Sequence, residues 1–287
     1  SRLKIALFDS GERRRSFLEA EAVPDAKTAL MIFLVLAFVL WLDSAVEIWG
    51  QVIASLMTWA LLAVLYKRVP RQSQNLLMSC LVVAMLGEVF CSLIWKLYDY
   101  RLFNIPAYVP PSHVLMFLLG SYLAPRMPRA IVWLVPALVA PYALMGYWSG
   151  FDRFGILLFI MFVACLVSEP ERRLYATMFM LCLVLEIYGT GLGNWTWRPN
   201  VPIWGMSTTN PPISAGVFYG LLDFLMLRFA LMYWSGRDMY LARPTMVRDY
   251  LLGMLRPKAD EGFAVGEPVL VAEAEEGLNA GTVQNIR

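Results

Sequence analysis

The first long apolar stretch, "ALMIFLVLAFVLWLDSAVEIWGQVIASLMTWALLAVLY" (residues 29–66), decides the class of fold. It contains only two charged side chains, those of Asp43 and Glu47. A helix needs about 20 apolar residues to cross the roughly 30 Å hydrocarbon core of a bilayer. The stretch is therefore long enough for two crossings and predicts a pair of transmembrane helices. Asp43 and Glu47 either form part of an acidic rim near the membrane surface or are solvated.

The whole chain has the composition of a membrane protein. Of its 287 residues 59% are apolar and 16% charged, and the mean hydropathy is +0.58, whereas a soluble domain has about 25% charged residues. We expect an all-α, polytopic membrane protein with a tail over 1–28, a helical domain over 29–234, and an amphipathic segment with an extended tail over 235–287. About eight helices are predicted, at 29–49, 51–66, 76–97, 108–124, 130–148, 154–168, 174–193 and 211–234, of which the second, fourth and sixth are short for a full crossing.

The basic residues predict how the chain crosses the membrane. Nineteen of the 24 Lys and Arg residues lie in the two tails and in alternate connections, and connections rich in these residues stay cytoplasmic. We therefore expect the protein to lie in a bacterial-type inner membrane with both of its termini in the cytoplasm. Because topology accounts for the basic residues, the net charge of +2 gives no reason to expect a nucleic-acid partner.

Two segments of similar pattern indicate a duplication. "EVFCSLIWKLYDYRLFNIPAYVPPSH" (88–113) and "EIYGTGLGNWTWRPNVPIWGMSTTNPP" (186–212) both run from Glu through aromatic residues to Asn-apolar-Pro-x-aromatic, Pro-Pro and a helix. The two glutamates are 98 positions and four predicted helices apart, which predicts a parallel four-plus-four internal duplication. The alternative is chance, because proline and aromatic residues are common at membrane interfaces.

The same segments contain the candidate site. Glu88 and Glu186 lie within apolar helices, where an ionisable side chain is costly and usually faces a cavity, a partner or a substrate. We interpret both as catalytic carboxyl groups. The predicted substrate-binding residues are Trp95, Tyr98, His113, Asn194, Trp195, Trp197, Trp204 and Asp223. The alternatives are an interfacial aromatic belt for the rings and helix packing for Gly189, Gly191 and Gly193.

Three functions fit these residues. A carboxyl group buried away from water keeps its proton more readily and can protonate an alkene, and Trp and Tyr faces stabilise the resulting cation; an isoprenoid or other membrane lipid would be the partner. Buried carboxylates also suit proton-coupled transport. The third candidate is a non-catalytic subunit that contacts a membrane-protein partner through its C-terminal tail. A single His without Cys or carboxylate at ligand spacing argues against zinc and haem, so no metal or cofactor is expected.

The segment "EIYGTGLGNWTWRPNVPIW" (186–204) resembles a family pattern: Glu, Gly-Thr or Thr-Gly, Gly, aromatic-x-aromatic and Val-Pro. The pattern is that of membrane-embedded carotenoid-biosynthesis proteins that hydrate or cyclise polyene ends. The resemblance covers about 30 of the 287 residues, with a fainter echo at 88–111, and implies that Glu186 is the acid. The spacing departs from the family pattern, and "TTNPP" (208–212) has no counterpart there.

Overall fold

A computed structural model describes residues 24–69, 71–168, 172–222 and 225–226. All of them belong to one unit, Ser1–Asp238. The predicted segment 235–287, Asp223 and most of the tail 1–28 lie outside these residues. The described part is mainly helical, with α1 (Ala26–Ala45), α2 (Glu47–Arg68), α3 (Arg71–Glu88), α4 (Val109–Leu123), α5 (Ile131–Ser149), α6 (Arg153–Ser168) and α7 (Arg172–Gly191), and residues 216–222 are also helical.

Five helices of the described part are long and apolar enough to cross a membrane. They are α1, α2, α5, α7 and the segment Ser73–Ile94, in which α3 continues into a π-helical turn, Val89–Ile94. With 15 and 16 residues, α4 and α6 are shorter, as the sequence predicts. The second helix, in contrast, is not short, because it runs for 22 residues.

The boundary between the first two helices differs from the prediction. The sequence predicts a break at Gly50, but α1 ends at Ala45 and Gly50 lies inside α2. A β-carbon on Gly50 would collide with the carbonyl oxygen of Leu42. This glycine therefore lets two antiparallel helices approach closely, which is the packing use of small residues in membrane helices.

The short helix α4 lies in the middle of the described helices. It packs against α1, α2, α3 and α7, and every residue from His113 to Gly120 is buried. A helix that is apolar all round is expected to be buried. Packing on all sides therefore places His113, at the start of this helix, in the interior.

A two-stranded antiparallel ribbon joins the two segments of similar pattern, where the sequence predicts no strand. Strand β1 (Tyr98–Tyr100) pairs with β2 (Trp195–Trp197), with Tyr98 opposite Trp197 and Tyr100 opposite Trp195. Reciprocal backbone bonds extend the pairing at both ends. The Arg101 N–H donates to the Asn194 carbonyl, and the Arg198 N–H donates to the Leu97 carbonyl, both at 2.9 Å.

The ribbon has one buried face and one accessible face, because successive side chains in a strand point to opposite sides. Its four large rings, those of Tyr98, Tyr100, Trp195 and Trp197, are all buried, whereas the central pair, Asp99 and Thr196, is at least partly accessible. The ribbon therefore covers the interior with aromatic side chains supplied equally by both segments.

Candidate functional site

Beneath the ribbon lies a cavity of about 340 Å³, near the lower end of the range for small-molecule sites. Its walls come from α1, α3, α4, α6, α7, the ribbon and the helical segment at 216–222. Most of the lining is aliphatic or aromatic. The structure brings together eight of the ten residues predicted from the sequence: Glu88, Trp95, Tyr98, His113, Glu186, Trp195, Trp197 and Trp204.

Glu186 is held by two indole groups. It lies near the end of α7 and is 6% exposed. Its Oε2 accepts hydrogen bonds from Trp195 Nε1 at 2.9 Å and from Trp197 Nε1 at 3.0 Å. Gly189, one turn further along α7, leaves room for the Trp195 ring, since a β-carbon there would overlap that ring. The W-x-W spacing places both indoles on one ribbon face, so both reach the same carboxyl oxygen.

Glu88 is held in the same way by two phenol groups. Its Oε2 accepts hydrogen bonds from Tyr98 at 2.8 Å and from Tyr100 at 2.7 Å. Burial raises the pKa of both phenols well above its usual value, and the charge of Glu88 adds to the effect. Both tyrosines therefore stay neutral donors. Tyr100 lies among the aromatic residues that follow Glu88 but is not one of the site residues predicted from the sequence.

The Glu88 centre has a third partner, which has no counterpart at Glu186 among the residues that the structure describes. His113 Nε2 lies 3.5 Å from Glu88 Oε1. The other ring nitrogen, Nδ1, is 3.0 Å from the Val109 carbonyl oxygen, and the ring stacks on Tyr219 with 4.6 Å between centroids. The two carboxyl centres are thus alike in their aromatic donors but differ in their contact with an ionisable group.

The spacing from glutamate to aromatic residue differs by one between the two segments, and the local structure accounts for it. Tyr98 and Tyr100 follow Glu88 by 10 and 12 positions, whereas Trp195 and Trp197 follow Glu186 by 9 and 11. A π-helical turn accommodates one extra residue, and the turn Val89–Ile94 lies between Glu88 and its tyrosines. Both segments then pass through a residue of positive φ two positions before the strand, Lys96 at 58° and Gly193 at 77°.

One of the two remaining predicted residues, Asn194, does not line this cavity. Asn194 is fully buried, but it links the ribbon to α1 through a 2.9 Å bond from Nδ2 to the Leu40 carbonyl. The backbone carbonyl oxygen of Asn194 accepts a hydrogen bond from the backbone N–H of Arg101. Asn194 therefore holds the ribbon against α1. The other predicted residue, Asp223, lies outside the described residues.

A second buried network lies beside the ribbon and corrects the expectation of an acidic rim or a solvated acid for Asp43, whereas Glu47 is exposed. Asp43 is fully buried. Its carboxylate is 2.9 Å from Arg101 Nη2 and accepts a 2.7 Å hydrogen bond from the Tyr108 hydroxyl. Arg198, the residue that matches Arg101 in the other segment, pairs instead with the half-exposed Asp99 through two 3.0 Å contacts. The two arginines therefore lie at opposite ends of the ribbon, where Arg101 pairs with a buried acid and Arg198 with a half-exposed one.

The wall around Trp204 reaches the surface. Its ring packs edge-on against Trp95 at 4.9 Å between centroids and lies 6.1 Å from the Phe154 ring, yet the residue is 49% exposed. Trp95 Nε1 donates to the Pro202 carbonyl at 3.2 Å, which fixes the turn that bears Trp204. Trp204 therefore separates the cavity from the outside of the molecule.

Comparison with known proteins adds no family to this geometry: no family model matches the chain, and neither a curated protein nor a solved structure is significantly similar to it. In the part of the chain that the structure describes, no three His, Cys, Asp or Glu side chains are grouped to hold a metal ion. The site instead presents two carboxyl groups, aromatic faces and one imidazole to an apolar space.

Proposed function

We propose that this membrane protein binds an apolar, lipid-like molecule of the isoprenoid type in the cavity and acts on it by acid catalysis. Glu186 is the acid and Glu88 its counterpart. The observation that carries the proposal is the pair of indole donors on one oxygen of Glu186. An indole N–H only donates, so Oε2 remains an acceptor and a proton on this carboxyl group resides on Oε1.

The surroundings suit a cationic intermediate. An alkene that takes a proton becomes a carbocation, and the faces of Trp and Tyr attract a cation within about 6 Å of the ring. The wall contains Trp95, Trp197 and Trp204 for this role. The resemblance of residues 186–204 to proteins that hydrate or cyclise polyene ends supports the same chemistry.

The size of the cavity limits what it can enclose. At about 30 Å³ for a group the size of a water molecule, a volume of about 340 Å³ holds on the order of ten non-hydrogen atoms. An end group of a long isoprenoid fits, whereas a whole polyene chain does not. The remainder of the chain would leave past Trp204 into the surrounding lipid.

The proposal includes a duplicated architecture, four helices in each half, in a bacterial-type inner membrane with both termini cytoplasmic. Reciprocal backbone bonds at Arg101 and Arg198 support the duplication, as do the matching carboxyl centres at Glu88 and Glu186. In this arrangement each half contributes one carboxyl group to a shared cavity.

Proton-coupled transport is the second candidate, and the contact of His113 with Glu88 favours it because such pairs relay protons in membrane proteins. The candidates differ in which carboxyl group matters most. Acid catalysis requires Glu186, whereas a relay requires Glu88 and stops when an uncoupler removes the proton gradient. A non-catalytic subunit would need neither.

The proposal is tested by mass spectrometry of total lipid and pigment extracts from a deletion strain. The strain carries the native protein, Glu186→Gln or Glu47→Gln, where Glu47 is an exposed carboxylate that serves as the matched control. Loss of a general acid slows reactions about 10²–10⁴-fold, so we expect a precursor to accumulate in the deletion and with Glu186→Gln only. Identical extracts from all strains would contradict catalysis.

A further inference from the structure

We propose that Glu88 and His113 hold one proton between them and form a second proton-transfer centre in the cavity, separate from Glu186. Both side chains line the cavity, and they are only 6% and 7% exposed. The identity of the cavity molecule that exchanges this proton rests on the proposed function. The sharing itself rests on geometry alone.

The imidazole orientation follows from its backbone contact. Nδ1 lies 3.0 Å from the Val109 carbonyl oxygen, and a carbonyl oxygen only accepts hydrogen bonds, so Nδ1 bears a hydrogen. In a neutral imidazole the other nitrogen is then an acceptor with a lone pair. Stacking on Tyr219, with 8° between the ring planes, holds Nε2 towards Glu88.

A proton is needed to make the Glu88 contact favourable. If neither His113 Nε2 nor Glu88 Oε1 carried a hydrogen, the lone pair of Nε2 would face a carboxylate oxygen at 3.5 Å in a site shielded from water. That arrangement is repulsive, and buried polar atoms are costly unless paired. The other oxygen of Glu88 already accepts two phenol hydrogens, so the shared proton lies between Oε1 and Nε2.

The two centres therefore differ in what they do with a proton. Among the described residues, Glu186 is hydrogen-bonded through its carboxyl group to Trp195 and Trp197. Neither indole can accept a proton, so Glu186 exchanges its proton with the contents of the cavity. Glu88 can exchange a proton with the cavity and also with His113, whose ring acts as a reservoir. As donors to Glu88, Tyr98 and Tyr100 position its carboxyl group and leave Oε1 for this exchange.

The chain contains a single histidine, which allows a direct test. Full-length protein labelled with ¹⁵N-histidine gives the two ring nitrogens of His113 and no others. In the native protein we expect Nδ1 at the position of a protonated nitrogen and Nε2 shifted from the unprotonated towards the protonated position. In Glu88→Gln the Nε2 signal should return to the unprotonated position, while in Glu47→Gln it should stay as in the native protein.

Two results would overturn the proposal: a native Nε2 signal already at the unprotonated position, or equal shifts in Glu88→Gln and Glu47→Gln. If Glu88→Gln does not fold, the native spectrum alone decides, by the first criterion. The outcome is independent of the lipid extracts. A shared proton together with unchanged extracts would uphold the pair and reject acid catalysis.

Discussion

Tyr98 and Trp197 are opposite each other in the ribbon, with 4.9 Å between their ring centroids, yet they donate hydrogen bonds to different glutamates. Tyr98 binds Glu88 at 2.8 Å and Trp197 binds Glu186 at 3.0 Å. One cross-strand contact thus couples the two carboxyl centres. Any change that shifts the register of the ribbon should disturb both centres together.

Removing one indole donor should weaken both the fold and the site. Trp197→Phe keeps an aromatic ring but deletes one of two donors to Glu186. We expect the free energy of unfolding, measured with a chemical denaturant in detergent, to fall by about 1–3 kcal/mol. Trp148→Phe is the control, because Trp148 is 77% exposed. Equal losses in the two variants would show that the hydrogen bond to Glu186 contributes little.

Two glycines on α7 provide a matched pair. Gly189→Ala would push a β-carbon into the Trp195 ring, whereas a β-carbon on Gly191 meets no atom within 4 Å. We expect Gly189→Ala to displace the indole from Glu186, to destabilise the protein by about 1–3 kcal/mol as overpacking does, and to impair function. Gly191→Ala should stay within about 0.5 kcal/mol of the native protein. Thermal unfolding and the lipid extracts measure both effects, and a harmless Gly189→Ala would refute this account of Trp195 placement.

The two arginine pairs should differ in importance. Replacing one partner of a buried ion pair costs about 3–5 kcal/mol, although the Arg101 side chain is 23% exposed, so we expect Asp43→Asn to lose less than this. Asp99→Asn should change stability by about 1 kcal/mol or less, since its pair is half-exposed and screened by solvent. Denaturant unfolding compares the two variants. Similar losses would contradict the assignment of Asp43 as an internal anchor of the ribbon.

Alkaline pH should destabilise the ribbon. Burial raises the pKa of Tyr98, Tyr100 and Tyr108 in the folded protein, while in the unfolded chain the pKa of a tyrosine is about 10. Above pH 10 the unfolded chain releases protons that the folded protein keeps, so stability is full below pH 10 and falls as the pH rises further. Each tyrosine contributes about 1.4 kcal/mol per pH unit.

The variant Tyr98→Phe tests this dependence. It removes one phenol proton that the folded protein keeps. Above pH 10 the free energy of unfolding should therefore fall less steeply, by about 1.4 kcal/mol per pH unit. Denaturant unfolding at several alkaline pH values measures the slope. An unchanged slope would show that Tyr98 does not keep its proton in the folded protein.

The sequence predicts the ingredients of the site because burial makes them unusual. Glu88 and Glu186 stand out in apolar helices, where charge is costly, and the matching aromatic residues after each glutamate indicate a common local design. These features depend on local composition, which is visible without a structure. Eight of the ten predicted residues accordingly line one cavity.

The ribbon could not be predicted in the same way. Its strands have three residues each and come from segments almost 100 positions apart, and strand formation depends more on pairing than on local preference. Asp43 shows the same limit, because only its contacts with Arg101 and Tyr108, both distant in sequence, explain its burial. At Gly50 the sequence suggests a helix break, while close helix packing is the actual reason for the glycine.

The most direct test of the central claim is to identify what occupies the cavity. Native protein, Glu186→Gln and Ser112→Phe, which places a phenyl ring in the cavity wall, are purified in mild detergent and their bound molecules identified by mass spectrometry. We predict that Glu186→Gln retains an isoprenoid-type molecule, that the native protein carries it in converted form or not at all, and that Ser112→Phe carries neither form. The same bulk lipids on all three proteins would contradict a cavity that binds and acts on an apolar substrate.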